Sequence, residues 1–371
     1  MLIDTPLENE NHHIRMIMAG GDGSLMGLVN KAKEAGCDIN TLVTCVLPYG
    51  TGNDLARCLN WGGSEGELKI YKSLPKLINE ICLNAEIKEL NIWTVLIKFR
   101  HGGTTFDVDS KRKRSYIARN ETFFERFMIN YFSFGEDARV GTGFEKNRTK
   151  HRCCNTLVYG AVGCFNFCCC CRRPESITDQ ILEVRSYKAS KSLQEQGVPP
   201  MPEVANPMIM EETKDQMEPM LNRNSTNGEI LFTTKAKDPD NFHIKGKPVT
   251  FCAMNIPSMM GGRANPWVQA AGRMAINNPY TQNPPKDYNT PKKMEKQLNF
   301  TKQDPTDGVL EFVTFRNMIE MTFLKRGQRL IQDEGPIEFK FKERVSVYSD
   351  DLCFAIGGRR FHLLLDRRGI L

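Results

Sequence analysis

Two glycine-rich turns, each following a short apolar run, contain the residues of this chain best suited to chemistry. The first turn surrounds one carboxylate, that of Asp22, with Gly20, Gly21 and Gly23, and Ser24 follows. The second turn reads Gly50, Thr51, Gly52, Asn53, Asp54. Glycine permits close backbone approach, so two such turns at strand ends suit a phosphate cradle of backbone N–H groups at a helix N-terminus. In that cradle Asp22 would hold Mg²⁺ or accept a hydroxyl proton.

A plainer interpretation stays open for each of these features. The two turns are also compatible with ordinary strand-to-helix connections of an α/β domain. Asp54 could serve as a helix N-cap, a position that Asn and Asp favour. Asp307, which precedes Gly308, could be a simple turn acid.

The two turns together resemble the catalytic domain of diacylglycerol kinases and their relatives, the sphingosine and ceramide kinases. That family's signature reads Gly-Gly-Asp-Gly-Thr and then Leu-Pro-x-Gly-Thr-x-Asn-Asp; here Ser24 replaces the threonine and the second motif matches in full. Further blocks resemble the family's accessory domain, and the first of them is typical of the eukaryotic diacylglycerol kinase branch. These blocks are Asn-Tyr-Phe-Ser-Phe-Gly-Glu-Asp-Ala-Arg-Val at 130–140, Asn-Ile-Pro-Ser at 255–258, Asp-Gly-Val-Leu-Glu at 307–311 and Arg-Leu-Ile-Gln at 329–332.

The resemblance implies an ATP- and Mg²⁺-dependent lipid kinase that phosphorylates diacylglycerol to phosphatidic acid at the cytosolic membrane face. It implies that the glycines of both turns, with Ser24 and Thr51, cradle the phosphates and that Asn53 and Asp54 brace the second turn. Asp22 would be the catalytic acid, as metal ligand or base. Asp137 and Asp307 would coordinate metal or fix the accessory domain.

Two departures from the family pattern favour weak or absent activity. Family members begin with a strand that carries an Asn-Pro-x-Ser-Gly-like phosphate loop, whereas only thirteen residues precede the first strand expected here. The family's last strand carries Ile-Asp-Gly-Glu, whereas the nearest match here is Ile356, Gly357, Gly358, Arg359. The second hypothesis is therefore a truncated or degenerate relative that acts as a non-catalytic scaffold for nucleotide or lipid. A third, a kinase of sphingoid lipids, would be separated by a substrate assay.

The elements that must position these residues fall into two domains. Strands are expected at 14–18 and 41–47, and helices at 24–35, 54–59 and 73–83, which predicts a partial Rossmann-like α/β domain over residues 1–90. From residue 91 the apolar alternation changes to strands, at 91–99, 250–255, 308–315 and 336–341. Residues 91–371 are therefore predicted to form a mainly antiparallel β-sandwich domain.

Three polar stretches, near 100–122, 189–228 and 278–305, are predicted to be insertions that loop from the β-domain. The first carries the basic run 111–114, either a solvated loop or a contact for anionic lipid headgroups. Residues 155–167 are predicted to form a buried helix that the cysteines at 168–171 end, with lipidation of these cysteines at a membrane as the alternative.

Composition narrows the class of protein. The chain of 371 residues carries 50 basic and 44 acidic side chains, and its net charge of +6 gives no reason to expect a nucleic-acid partner. No apolar run long enough to span a membrane and no signal-peptide pattern are apparent in the sequence. Most of the thirteen cysteines are scattered over apolar segments, which favours free thiols in a reducing cytosol over a disulfide framework. We expect a cytoplasmic protein that associates peripherally with membranes.

Overall fold

The protein is described from a computed structural model. The residues it describes are 15–38, 43–68, 73–99, 104–108, 114–118, 123–168, 176–187, 229–233, 244, 247–262, 264–269, 300–317, 319–321, 327–342, 345–349, 352–357 and 361–370. The predicted insertion at 189–228 and most of the one at 278–305 lie outside these residues.

The N-terminal part is a small parallel α/β unit. Strand β1 (Arg15–Gly20) pairs with β2 (Val43–Pro48) in parallel, from Arg15 opposite Val43 to Gly20 opposite Pro48, and helix α1 (Asp22–Glu34) connects them. This register places the two glycine-rich turns side by side at one end of the strands. The predicted strand–helix–strand order is confirmed. The helices that follow β2 are α2 (Asp54–Cys58), α3 (Glu65–Leu68) and α4 (Leu74–Asn79), which continues as a π-helical turn over Glu80–Asn84.

Helices cover the strand β2 from both sides. Val46 belongs to a cluster of buried side chains that includes Leu25 of α1 and Leu55 of α2. The neighbouring residues of β2, Cys45 and Leu47, belong to a second cluster with α4 and the π-helical turn. This alternation is what a strand with both faces buried requires.

The rest of the described chain is dominated by antiparallel strands. One sheet has eight strands in the order β12-β11-β10-β7-β14-β15-β4-β5, and another has six in the order β6-β3-β16-β13-β8-β9. The predicted antiparallel β-rich region is confirmed. The strands are β3 (Asn91–Phe99), β4 (Thr104–Val108), β5 (Arg114–Ala118), β6 (Phe123–Met128), β7 (Tyr131–Gly135), β8 (Ile181–Ser186), β9 (Glu229–Thr233), β10 (Thr250–Met254), β11 (Leu310–Phe315), β12 (Gln328–Asp333), β13 (Ile337–Phe341), β14 (Val345–Ser349), β15 (Leu352–Gly357) and β16 (Phe361–Ile370). The remaining helices are α5 (Glu136–Asn147), α6 (Arg152–Cys168), α7 (Ile177–Gln180) and α8 (Pro266–Gln269).

One core of buried apolar side chains joins the two larger sheets. Phe134 of β7 stacks on Phe251 of β10 at 4.7 Å between ring centroids, within the eight-stranded sheet. The same ring meets Phe339 and Phe341 of β13, in the six-stranded sheet, edge to face at 5.5 and 5.1 Å. Edge-to-face and offset contacts of this kind add to the free energy gained by burying the rings.

The prediction that residues 100–122 are an unfolded insertion is wrong in part. β4 and β5 lie in this stretch and pair antiparallel at the edge of the eight-stranded sheet. Their polar composition, with Thr, Asp, Arg and Ser between the apolar residues, resembles a loop; β5 is the edge strand, and β4 lies next to it. The first three residues of the basic run, 111–113, lie outside the described residues. The end of the third predicted insertion is also ordered, since Phe300 is buried against Trp267 at 5.0 Å between ring centroids.

Helices α5 and α6 pack against each other, and α5 also contacts the eight-stranded sheet. The helix predicted at 155–167 is confirmed within α6. The prediction that it is buried is wrong, because α6 packs on α5 with one face while Leu157 and Phe165 remain 75% and 72% exposed. Among the residues that the structure describes, no helix has both the length and the apolar character needed to cross a bilayer.

Replacing Phe134 by alanine should remove the ring that joins the two sheets. We expect the free energy of unfolding in urea to fall by about 3–5 kcal/mol, since the cavity is enclosed by rings from both sheets. The matched control is Phe165→Ala on α6, whose ring is exposed, and its effect should stay within about 0.5 kcal/mol. Equal losses in the two variants would contradict the assignment of the core.

Candidate functional site

The two glycine-rich turns touch each other through their backbones. A Cβ atom added to Gly21 would lie 2.9 Å from the Cα of Gly50, a distance that real Cβ atoms do not reach. The N–H of Tyr49 donates to the carbonyl oxygen of Gly20 at 3.2 Å, which links the ends of β1 and β2. Glycine is therefore required here by the close approach of the two chains.

Asn53 fixes the shape of the second turn. Its backbone is left-handed, with φ of 59°, a conformation that Asn tolerates better than most residues. Its side chain accepts a hydrogen bond from the Gly50 N–H at 2.7 Å and donates to the carbonyl oxygens of Gly50 and Gly63 at 2.9 and 3.0 Å. Every polar group of this buried amide side chain thus bonds to the turn or to the segment after it.

The Asp22 carboxylate lies at the N-terminus of α2. It accepts hydrogen bonds from the backbone N–H groups of Asp54 at 2.9 Å and Leu55 at 3.2 Å, and another from the side chain of Asn130. The N-cap residue of α2, Asn53, provides no side-chain cap, so Asp22 supplies one from another element of the chain.

Burial gives Asp22 an unusual proton affinity. Desolvation is the largest influence and, with the nearby Asp54 charge, raises the pKa of Asp22 to about 6, although the hydrogen bonds from Asp54, Leu55 and Asn130 lower it. A carboxyl group with such a pKa can gain and lose a proton near neutral pH, as a general base must.

Asp54 binds the loop that follows β10. Its carboxylate accepts hydrogen bonds from the Ser258 hydroxyl at 2.5 Å and from the N–H groups of Gly261 and Gly262 at 2.9 Å each. Both of these glycines have left-handed backbones, with φ of 71° and 78°. The alternative role of Asp54 as an N-cap is not seen, because Asp54 is the first residue of α2 and its side chain points to this loop.

The start of the same loop is held by a second buried amide. The Asn255 side chain donates to the carbonyl oxygens of Asn91 and Ile129 at 3.1 and 2.7 Å, and accepts from the indole N–H of Trp93 at 3.0 Å. Asn255 therefore joins β3, the segment before β7 and the loop after β10. The Asn-Ile-Pro-Ser block recognised in the sequence consequently has a structural role at both ends.

The remaining residues of the two turns surround this pair of acids. Gly23 and Ser24 are exposed in the first turn of α1, and Thr51 and Gly52 are half-buried. A Cβ atom on Gly52 would lie 3.4 Å from Oδ2 of Asp54 and 3.9 Å from Oδ2 of Asp22, so this glycine backbone lies over both carboxylates.

The predicted metal ligands are not brought together. Asp137, at the start of α5, is buried and accepts a hydrogen bond from the Ser133 hydroxyl at 2.7 Å. Asp307 is exposed and accepts from the N–H of Val309 at 2.8 Å, which is the turn role considered from the sequence. Within the described part of the chain, no three His, Cys, Asp or Glu side chains are grouped so that they could hold a metal ion. The bond to Ser133 agrees with the other predicted role for Asp137, the fixing of the accessory region.

Sequence reasoning missed the direct partners of the two acids. From the sequence, Asn130 and Ser258 belong only to blocks that resemble the accessory domain, and neither is predicted to contact the site. Their signal was present, since both are polar residues that follow or precede apolar strands. What the sequence lacked was the sheet order that brings residues 130 and 258 to positions 22 and 54.

The altered motif at the end of β15 contributes Gly357 to that strand, and Arg359 lies outside the described residues.

Comparison with known families shows which protein family the chain belongs to. Residues 7–87 match the diacylglycerol kinase catalytic domain, and residues 127–351 match the diacylglycerol kinase accessory domain. Because the second match alone covers more than half of the sequence, the chain belongs to the diacylglycerol kinase family.

Individual relatives agree in class and differ in length. The chain is 29% identical to diacylglycerol kinase 4 of Arabidopsis thaliana over 171 residues, which cover 41% of this chain and 35% of that protein. It is 30% identical to the eye-specific diacylglycerol kinase of Drosophila melanogaster over 158 residues, or 41% of this chain and 10% of that protein. The match therefore spans about a third or less of these relatives. Among solved structures, a diacylglycerol kinase from Bacillus anthracis aligns over 94% of this chain and 73% of its own, with a TM-score of 0.37 and 12% identity.

Removing the Asp54 carboxylate should loosen the loop after β10. Asp54→Ala leaves three donors without their acceptor, and we expect the free energy of unfolding to fall by about 1–3 kcal/mol. Hydrogen exchange at the amides of Gly261 and Gly262 should accelerate. Ser258→Ala removes a single donor and should cost less, so a loss in Ser258→Ala that equals the loss in Asp54→Ala would argue against Asp54 as the shared acceptor.

Stability should depend on pH through Asp137. Burial raises the pKa of Asp137 from 3.8 to about 6, against the lowering effect of the Ser133 hydrogen bond. The folded protein therefore holds this proton more tightly than the unfolded chain. Its contribution to stability is present below pH about 4 and is lost as pH rises through about 6, by up to about 3 kcal/mol.

Urea unfolding of wild type and Asp137→Asn across this pH range tests that assignment. The variant should lose less stability than the wild type between the two ends of the range, because its side chain does not titrate. Ser133→Ala is the companion variant, and it should steepen the fall because the charged form loses its hydrogen bond. Parallel curves for wild type and Asp137→Asn would show that this group does not titrate as assigned.

Proposed function

We propose that this chain binds ATP at the two glycine-rich turns and transfers its γ-phosphoryl group to the hydroxyl of diacylglycerol, which yields phosphatidic acid. The observation that carries the proposal is the contact of the two turns beside Asp22, whose pKa of about 6 suits proton transfer. Membership of the diacylglycerol kinase family supports the choice of reaction and of lipid.

The N-terminus of α1 fits a nucleotide phosphate. Its N-cap, Gly21, offers no side chain, so the first N–H groups of this 13-residue helix are not capped by a side chain. Such groups point at an anion and the helix dipole favours negative charge there. The phosphates would be held by Gly20, Gly21, Gly23, Ser24, Gly50, Thr51 and Gly52, with Asn53 holding the second turn in shape.

In this proposal Asp22 is the general base that accepts the proton of the lipid hydroxyl. Near neutral pH a large share of the molecules carries the ionised carboxylate, which can accept the proton of a lipid hydroxyl as the phosphoryl group arrives. The hydrogen bonds from Asp54, Leu55 and Asn130 hold the carboxylate in place. Asp54 has a positioning role in this proposal. Its N–H binds Asp22, and its side-chain oxygens bind the loop after β10.

Mg²⁺ fits the described acids poorly as a metal held by protein alone. Both oxygens of Asp22 accept hydrogen bonds, and Asp137 and Asp307 lie elsewhere. Mg²⁺ in phosphoryl-transfer sites is held largely by substrate phosphates with one or two carboxylates, so we propose that it enters as the ATP complex and assign it no separate step.

The finer architecture and the cellular setting belong to the same proposal. We infer that the α/β unit is part of a Rossmann-like catalytic domain that ends near residue 90, and that the two larger sheets form a β-sandwich accessory domain. A cytoplasmic protein that associates with the membrane surface would meet both ATP and a lipid substrate, and no nucleic-acid partner is proposed.

A second function is favoured by one specific observation. Asp22 caps α2 and accepts three hydrogen bonds, which is the behaviour of a structural residue as well as of a base. In this alternative the chain binds nucleotide or lipid without turnover and serves as a scaffold. Nucleotide binding without phosphorylation of diacylglycerol would identify it.

Adding one methyl group at Gly21 should weaken ATP binding. The new Cβ would meet the Cα of Gly50 at 2.9 Å and force the turns apart. We expect the Kd for ATP, measured by calorimetry, to rise at least about tenfold. Gly27→Ala is the matched control in the same helix, where a Cβ meets nothing within 4 Å, and its Kd should be unchanged. An unchanged Kd in Gly21→Ala would place the nucleotide elsewhere.

Turnover in mixed micelles separates the two functions. We expect the chain to phosphorylate diacylglycerol, and Asp22→Asn to lower the rate by about 100-fold or more because the base is lost. Gly27→Ala again provides the control and should keep its rate. If ATP binds to the wild-type chain but no phosphatidic acid forms, the scaffold replaces the kinase; if Asp22→Asn keeps its rate, Asp22 is not the base.

A further inference from the structure

One side of α6 presents an apolar stripe to the exterior. This surface, the α6 outer face, is a stripe of exposed residues at helical spacings of three and four. It consists of Leu157, Gly160, Ala161, Cys164 and Phe165. Leu157 and Phe165 are 75% and 72% exposed, which places them among the most exposed large apolar side chains described. Apart from the weakly polar thiol of Cys164, the side chains of these five residues have no hydrogen-bonding group.

Contacts on the opposite side fix the direction of this stripe. The ring of Tyr159 meets that of Phe144 on α5 edge to face, at 5.3 Å between centroids. Val162 lies against Gly143 so closely that a Cβ there would be 2.7 Å from it. Asn155 holds the turn before α6 by accepting from the N–H of Thr149 at 2.7 Å. The α6 outer face is therefore held outward by packing on α5.

Charge around the stripe is positive and lies at one end. The turn between α5 and α6 and its flanks carry four basic residues, Lys146, Arg148, Lys150 and Arg152, against one acid, Glu145. Glu145 pairs with Arg148 at 3.2 Å. From residue 153 to 168 the helix has no charged side chain. An apolar face beside a basic cluster can enter a membrane interface while the cations meet anionic headgroups.

The size and chemistry of the α6 outer face disfavour a protein partner. From Leu157 to Phe165 the stripe is only about 12 Å long, at about 1.5 Å per residue. A stable protein interface covers roughly 800 Å² on each side and includes hydrogen bonds, and a single short stripe with apolar side chains offers neither. A bilayer needs only a few apolar side chains to enter and basic groups to meet anionic headgroups.

We propose that the α6 outer face docks on an anionic lipid bilayer, with Leu157 and Phe165 entering the interface and the basic turn meeting the headgroups. α6 would then lie along the membrane plane. This inference goes beyond the proposed reaction and the membrane association proposed with it, because it assigns the attachment to a defined surface of α6 that requires neither ATP nor diacylglycerol.

Vesicle sedimentation with the full chain, without nucleotide and without diacylglycerol, tests the proposal. The probes are phosphatidylcholine vesicles with and without phosphatidylserine. We expect the wild type to bind the mixed vesicles, and Leu157→Ser combined with Phe165→Ser to lower its partition coefficient at least about tenfold. Lys146→Gln combined with Lys150→Gln should weaken binding to the mixed vesicles by about tenfold and leave binding to phosphatidylcholine unchanged.

The matched control removes two exposed apolar side chains elsewhere. Leu83 and Ile87 are 78% and 52% exposed on the α/β unit, and Leu83→Ser combined with Ile87→Ser should bind vesicles as the wild type does. Circular dichroism and thermal unfolding of each variant verify that the fold is kept. Loss of binding in this control with none in the α6 variant would overturn the proposal, as would failure of the wild type to bind.

Direct insertion provides an independent readout. Leu157→Trp places a fluorophore on the α6 outer face, and brominated lipid should quench its emission, whereas Leu83→Trp should remain unquenched. Sedimentation equilibrium, which measures the oligomeric state, tests whether a second copy of the chain binds the α6 outer face instead. A wild-type dimer that Leu157→Ser with Phe165→Ser converts to a monomer would show a protein interface and refute the membrane assignment.

Discussion

Two carboxylates, the half-buried one of Asp22 and the buried one of Asp54, hold together the parts of this molecule on which the candidate site depends. Asp22, from the turn after β1, bonds to the N-terminus of α2, and Asp54, the first residue of α2, bonds to the loop after β10. A chain of hydrogen bonds therefore runs from the first glycine-rich turn, through α2, to the β-rich region. Since a buried charge without partners is costly, each carboxylate constrains the position of its donors.

The rest of the site follows from this constraint. With α2 fixed by Asp22, the second glycine-rich turn that precedes it can approach the first closely enough for only glycine to fit at positions 21 and 50. The loop that receives Asp54 is itself held by Asn255, whose amide joins β3 and the segment before β7. The α/β unit is thus hydrogen-bonded to the β-rich region through Asp54, and the N-cap of α1 has no side-chain hydrogen bond.

Local patterns predicted the α/β unit well, because β1, α1 and β2 have clear apolar periodicity and their turns have strong glycine signals. They failed at β4 and β5, whose polar composition resembles a loop, and they predicted the helix α6 but not that its apolar face stays outside the core. The types and spacing of the residues in both turns predict a site, and the structure brings the two turns into contact. Their partners, Asn130 and Ser258, were not predicted, because contacts between residues more than a hundred positions apart depend on sheet order that no local pattern encodes. The bonds of Asp54 to the loop after β10 were not predicted for the same reason.

Hydrogen exchange with and without ATP tests most directly whether the linked turns form a nucleotide site. In the wild type, ATP should slow exchange in residues 20–24 and 50–55, and the effect should extend to 258–262 through the Asp54 carboxylate. In Asp54→Asn the slowing at 258–262 should disappear while that at 20–24 persists. Unchanged exchange at 20–24 on addition of saturating ATP would contradict the account, because it would show that the phosphates are not bound at these turns.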